Sequence, residues 1–469
     1  MDASHAAAFR AFGARANLLA VLDHSGRAGN GFVMASFDQH PQVLGCHWAH
    51  YLYSYLLSEF GDSPEIGAER ARAFILSRTK FGLTMQPMDA EQRAFVRRIG
   101  GDPDVPLDRE AGLRAFTELL SAGPTISRRD LVLAAYYAFA VAAGRDTSQT
   151  AYILTSDAVS LRAEPRARPF SGRIAREMLR DFPQARFISL VRDPRAVFAS
   201  NRHQFVNVNG NMHGLAPGSL CARLAELASG EPSTEGCVFL HWIVYCASAA
   251  KTVYALKTEF APHFVTLRNE DLNLDFAPTL RGLCRWLGVD FHRPWAEPDF
   301  TPTSLGSPWR GAGAYSNTYQ TNAHGPLKND PDNVSRKVTG PNAYVTQRWR
   351  SRLSDSETAV IEALFADEMR DLGYAPLHAD PRRGLAARLW RPFTGELPAP
   401  AWLADGTRLG WRELSRRLFY ALALPPFYAL SRLALMSFIR RGYFDNPGFR
   451  TLPGPAGWPR AENSQGPDA

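Results

Sequence analysis

A chain of 469 residues with 45% apolar and 21% charged side chains carries enough apolar surface for a large folded core, which excludes wholesale disorder. Its formal net charge of +7 sits mostly in one place: from His378 onward there are 13 arginines against 7 acidic residues, so the body is nearly neutral and a nucleic-acid binder is disfavoured. The five cysteines, at 46, 221, 237, 246 and 284, lack the spacing of a metal site or a disulfide framework; free thiols in a reducing compartment fit, with a Cys221–Cys237 pair as the alternative. The amino terminus lacks the apolar core and cleavage site of a secretory signal, so a cytoplasmic location is expected.

In chain order, Asn17–Asp23 reads as a short buried strand, residues 24–30 as a glycine-rich loop and Gly31–Asp38 as the start of a helix that ends at His40-Pro41. Residues 51–150 read as mostly helical, with breaks near 61–67, 101–108 and 123–129. Tyr152–Thr155, Arg186–Val191 and His263–Leu267 read as further strands. Asp193-Pro194 opens a helix to about Arg202, and Ala277–Leu287 is a helix stopped by Gly288. Residues 301–347 read as one long loop, and Ser354-Asp355-Ser356-Glu357 is a capping box for a helix through Leu372. Strands alternating with helices predict an α/β fold of three layers around a central parallel sheet. Residues 1–377 form the expected catalytic domain, with a helical insert at about 51–150 and a separate carboxyl-terminal extension at 378–469.

The first loop, His24-Ser25-Gly26-Arg27-Ala28-Gly29-Asn30-Gly31, follows a strand and opens a helix. Glycines let several backbone N–H groups turn onto one anion, and Arg27 adds a charged, forked donor. Ser25, Gly26, Arg27, Ala28, Gly29, Asn30 and Gly31 are therefore candidate phosphate or phosphosulfate contacts; an ordinary glycine-rich turn is the alternative. A Walker loop needs Lys-Ser/Thr after its second glycine, and here Phe32-Val33 follow Gly31, which weighs against a kinase-like phosphotransferase. The second motif, Arg192-Asp193-Pro194-Arg195 through Ser200, leaves the carboxyl end of a strand. Arg192 and a hydroxyl at Ser200 suit a second phosphate, whereas a plain helix start with a surface arginine is the alternative.

Together these motifs resemble the sulfotransferases that use 3′-phosphoadenosine-5′-phosphosulfate, especially bacterial members. Arg27–Gly31 is similar to the family's 5′-phosphosulfate loop, and Arg192 with Ser200 to its 3′-phosphate pair. Leu267-Arg268-Asn269-Glu270-Asp271-Leu272, Gly306–Gly311 and Arg348-Trp349-Arg350 resemble later family segments, which adds Arg348 and Trp349 as cofactor contacts. The resemblance covers about 17–375 and implies a P-loop-like sulfotransferase fold that works without a metal. Departures are Ala28, Asn30 and Gly31, where relatives carry hydroxyls, and Asn269, where they carry an aromatic residue.

Such an enzyme has to align the acceptor oxygen with sulfur, stabilise the leaving phosphate and take up a proton. Arg27 is the candidate for charge stabilisation, His47 for the base and Asp157 for its runner-up; His24 is a further candidate ligand contact. The expected acceptor is a hydroxyl of a carbohydrate or lipid-linked glycan. A non-catalytic protein that keeps the fold is the remaining alternative. In the extension, the apolar stretch Leu418–Ser431 is broken by Pro425-Pro426 and flanked by arginines. The region 416–441 thus reads as a peripheral contact with the inner face of the cell membrane, or as a helical hairpin on the core.

Overall fold

The computed structural model describes residues 3–23, 26–158, 172–204, 253, 255–309 and 340–390, together with 411, 426, 429–430, 432–442 and 444. Five strands make one wholly parallel sheet: β1 (Asn17–Asp23), β2 (Val43–His50), β5 (Tyr152–Ala158), β6 (Arg186–Val191) and β7 (Phe264–Arg268), in the order β2-β5-β1-β6-β7. Two short antiparallel pairs stand apart from it, β3 (Glu65–Gly67) with β4 (Thr125–Ser127) and β8 (Thr303–Ser304) with β9 (Ser307–Pro308).

Alternation along the strands sends side chains to two cores. Leu18, Ala20 and Leu22 of β1 face a core shared with the helices α1 (Ala3–Arg15), α3 (Leu52–Phe60), α4 (Ala68–Arg78), α7 (Arg109–Leu120), α8 (Arg128–Ala142) and α9 (Arg173–Asp181). Leu19 and Val21 face α2 (Asn30–Ser36), α11 (Asn269–Leu274) and α12 (Phe276–Leu287) on the other side. The three-layer α/β architecture expected from the sequence is therefore present. Residues 51–150 hold six helices; α5 (Gly82–Met85) and α6 (Ala90–Arg98) complete the set. Among them α8 is buried on nearly every side, and its Arg128 pairs with Glu177 and Asp181 of α9, each at 2.5 Å.

Two sequence expectations change. The strand β2 was not legible: Val-Leu-Gly-Cys-His-Trp-Ala-His does not alternate, because the strand is buried on both faces and its register with β5 shifts between Gly45 and His50. The stretch 301–347 is not one loop. It contains the β8–β9 hairpin and α13 (Ala343–Gln347), whose Asn342 cap accepts the Tyr344 N–H at 2.8 Å; both elements are too short to leave a periodic signature. Residues 310–339, including Arg310 and Gly311 of the late motif, lie outside the described residues, as do Cys221, Cys237 and Cys246; Cys46 and Cys284 are free and buried.

Helix α14 (Asp355–Leu364) has the expected capping box between Ser354 and Glu357. The carboxyl-terminal residues 432–440 are helical and pack Leu435 and Ile439 against Val360, Ile361 and Leu364 of α14. Arg432 is buried and donates to the Leu389 carbonyl at 2.6 Å, while Leu430 and Leu433 stay exposed. Among the described residues no helix is long and apolar enough to cross a membrane, and Leu418–Ser431 lies almost wholly outside them.

Candidate active site

The glycine loop sits where central strand β1 ends. Gly26, Arg27 and Gly29 all take positive φ, 67°, 63° and 113°, so the chain reverses tightly before α2 begins. Ala28 is fully buried in the core beneath, which pins the turn, and the Asn30 amide donates to Ser156 Oγ of β5 at 2.9 Å. Gly29 has a second constraint: a Cβ there would overlap the Asn269 side-chain amide at the start of α11. His24 and Ser25 lie outside the described residues.

Arg192 leaves the end of neighbouring strand β6 and turns toward this loop. Its Nη1 and Nη2 donate to the carbonyls of Arg27 and Val345 at 3.1 and 2.9 Å. Its Nε is buried without a hydrogen-bond partner among the described atoms. Helix α10 (Pro194–Gln204) brings Ser200 back beside the same loop, where its Oγ accepts from Arg27 Nε at 3.2 Å. Arg348 joins from the segment after α13. Burial, and then the charges of Arg352, Arg192 and Arg27, pull its guanidinium well below the ordinary arginine range. Burial does the same to Arg192; Glu270 acts against that shift, and the Arg27 charge adds to it. Several guanidiniums thus crowd a desolvated spot that an anion would relieve.

A separate ionic brace holds this arrangement in place. Asp193 caps α10 by accepting the Arg195 N–H at 2.9 Å and pairs with the Arg195 guanidinium at 2.7 Å. Arg195 also reaches Glu362 of α14 at 2.5 Å and stacks 4.1 Å over the Trp349 ring. The Glu270 carboxylate accepts from the Asp193 N–H at 3.0 Å and the Tyr374 hydroxyl at 2.8 Å, so the Arg-Asn-Glu-Asp segment ties the second motif to Tyr374.

His47 approaches the first turn of α2 from β2. It is 1% exposed, and a Cβ built on Gly31 would lie 3.6 Å from its Nε2. That Nε2 has no hydrogen-bond partner among the described atoms, whereas Nδ1 lies 3.0 Å from Ser304 Oγ on the β8–β9 hairpin. Burial, reinforced by neighbouring His50 and only partly opposed by the Asp38 charge and the Gly31 backbone, brings its pKa down to about 3, so the imidazole is neutral at physiological pH. The hairpin is locked by Asp38, which accepts from Thr303 Oγ1 at 2.7 Å and from the Gly306 N–H at 2.8 Å and pairs with Arg145 at 2.8 Å. Burial alone would raise the Asp38 pKa; Arg145 and these donors hold it below the usual carboxylate value.

Residues 129–293 match the family described as "Sulfotransferase family". That segment is similar to a sulfotransferase domain. Two solved structures are similar. The sulfotransferase domain from the Synechococcus PCC 7002 olefin synthase is 18% identical, covering 75% of this chain and 95% of its own, with a TM-score of 0.38. The sulfotransferase domain from the curacin biosynthetic pathway is 15% identical, covering 75% of this chain and 98% of its own, with a TM-score of 0.41. No curated protein matches the chain.

The family match includes Arg192 and Ser200, while the glycine loop precedes it in sequence and meets the matched segment through the sheet. The structure brings Arg27, Arg192, Ser200 and Arg348 to one place. Two candidates do not fit the roles given to them. Asp157 is fully buried, accepts the N–H groups of Tyr53 and Ser54 at 2.9 and 3.2 Å, and also bonds Ser54 Oγ. It secures the start of α3, and strand alternation turns it away from Ser156, which faces the loop. Trp349 is buried against Ala196 and Ala199 and serves as packing for α10. Sequence reasoning missed Asp38, Asn269, Glu270 and Ser304 as supports of the candidate site. Asn269 and Glu270 had a signal, their place in the Arg-Asn-Glu-Asp segment.

Proposed function

We propose that the enzyme transfers a sulfuryl group from 3′-phosphoadenosine-5′-phosphosulfate to a hydroxyl of a carbohydrate or glycolipid. The observation that carries the donor assignment is the convergence of Arg192, Arg348 and the Arg27–Ser200 pair on one desolvated spot, where Arg192 keeps a buried donor unsatisfied. In this reading Arg192 and Ser200 hold the 3′-phosphate, and Arg27 with the loop holds the 5′-phosphosulfate. The acceptor oxygen forms its bond to sulfur as the bond from sulfur to the bridging phosphate oxygen breaks. The electron pair leaves with adenosine 3′,5′-bisphosphate, whose new charge Arg27 stabilises, and the acceptor proton passes to His47 Nε2.

That last role sets the tautomer. His47 accepts at Nε2 only when Nδ1 carries the proton and donates it to Ser304 Oγ. Incubating the chain with radiolabelled phosphosulfate and polysaccharide or membrane extracts tests the proposal. Label should move to a glycan or glycolipid without added metal; label found only on free sulfate would reject the acceptor assignment.

A further inference from the structure

A line of aromatic rings leads outward from the arginine loop. Trp309 lies against Phe32 of α2 with ring centres 5.8 Å apart. His47 meets Trp309 edge-on at 6.0 Å, His50 meets His47 edge-on at 5.9 Å, and Tyr51 follows 6.2 Å from His50. Phe32 is buried, Trp309 is half-buried and His47 is 1% exposed; from His47 outward exposure rises through half-buried His50 to Tyr51 at 37%, with Tyr55 at 39% one helical turn further on. The rings thus run from the anion site to the protein surface.

The backbone under Tyr51 is itself unusual. Among the described residues three non-glycines take positive φ: Arg27, Tyr51 at 62° and Leu305. Arg27 lies in the glycine loop, and Leu305 turns the hairpin that brings Ser304 to His47, so two of the three serve the site already described. Backbone strain of this kind concentrates where geometry is functional and is held by its surroundings. Here β5 does the holding. The Tyr51 N–H donates to the Ser156 carbonyl at 2.8 Å, and Asp157 accepts the N–H groups of Tyr53 and Ser54 in the first turn of α3. A glycine would adopt this conformation without strain, yet a large ring stands there, at the outer end of the aromatic line.

We propose that Tyr51 forms the outer wall of the acceptor subsite, and that the acceptor carries its reacting hydroxyl on a ring with an apolar face. The inference rests on the sulfuryl-transfer reading and deepens its acceptor side. A pyranose and a phenol share the required chemistry: each offers a flat or nearly flat apolar face to aromatic side chains and a hydroxyl at its edge. An acyclic alcohol offers the hydroxyl alone.

The test is binding to the full chain saturated with adenosine 3′,5′-bisphosphate, followed by saturation-transfer NMR with three probes: methyl β-D-glucopyranoside, 4-nitrophenol and 1-butanol. At least one ring probe should bind where butanol does not, and the pyranoside and phenol arms tell the two ring chemistries apart. Tyr51→Gly, which removes both ring and strain, should weaken that binding about fivefold to tenfold. Tyr51→Phe should stay within about twofold, because the ring remains. Bisphosphate affinity should be unchanged in both variants. Ring probes that bind no better than butanol, or a Tyr51→Gly variant that holds them as tightly as the wild type, would overturn the inference. Wild-type protein that fails to bind the bisphosphate would overturn the donor reading and this inference with it.

Discussion

On the arginine side of the site, two of the side chains leave the ends of neighbouring strands at the middle of the sheet. Arg27 follows β1, Arg192 follows β6, and Ser200 lies on the helix that Asp193 caps. On the histidine side, His47 lies on edge strand β2, whose register shifts beside it. Its partner Ser304 arrives from 257 residues further along the chain, on a hairpin of two-residue strands held by Asp38. The first side is preformed by regular structure, whereas the second depends on a few polar locks. Charge can be placed by strand ends alone, but a proton acceptor needs its tautomer and ring angle set as well.

The largest effect should come from breaking the arginine side. Arg192→Ala removes the guanidinium that joins the Arg27 carbonyl to α13. It should weaken adenosine 3′,5′-bisphosphate binding at least about a hundredfold, measured by calorimetry, because charge-assisted phosphate contacts in a dry site are strong. Next, His47→Ala should lower kcat by about 10²–10⁴-fold and leave bisphosphate affinity unchanged, which separates the two sides directly. The wild-type pH profile carries the same information. A lowered pKa means that His47 is protonated, and so disabled as a base, only far into acid, so kcat/KM should show no histidine-like fall between pH 7 and pH 5.

A smaller effect is expected at Ser304, which orients rather than accepts. Ser304→Ala should cost about tenfold in kcat with little change in bisphosphate affinity, and a variant as active as the wild type would remove the hydroxyl from the tautomer argument. Asp157→Asn should affect activity least. Its carboxylate anchors α3, so the expected loss is about 1–3 kcal/mol of stability in urea titration, with kcat within a few-fold of wild type.

The same contrast explains what the sequence disclosed. The arginine side was legible because its parts are short contiguous strings at the ends of apolar β-rich runs, and because Asp193-Pro194 and Ser354–Glu357 are local capping signals. The histidine side was legible only as a candidate residue. The strand carrying His47 is buried on both faces and interrupted by Gly45, so it shows no period-two pattern. Asp38 and Ser304 look like ordinary loop polars until the fold brings them together. Asp157 misled for a related reason: a carboxylate near a strand end reads alike whether it faces a substrate or caps a helix on the other side of the sheet.

The donor assignment underlies everything else, and one titration addresses it most directly. Adenosine 3′,5′-bisphosphate should bind the full chain with micromolar or tighter affinity in the absence of Mg²⁺, ahead of ATP, and Arg192→Ala should abolish that preference. No binding of the bisphosphate, or Mg²⁺-dependent binding of ATP in its place, would contradict it.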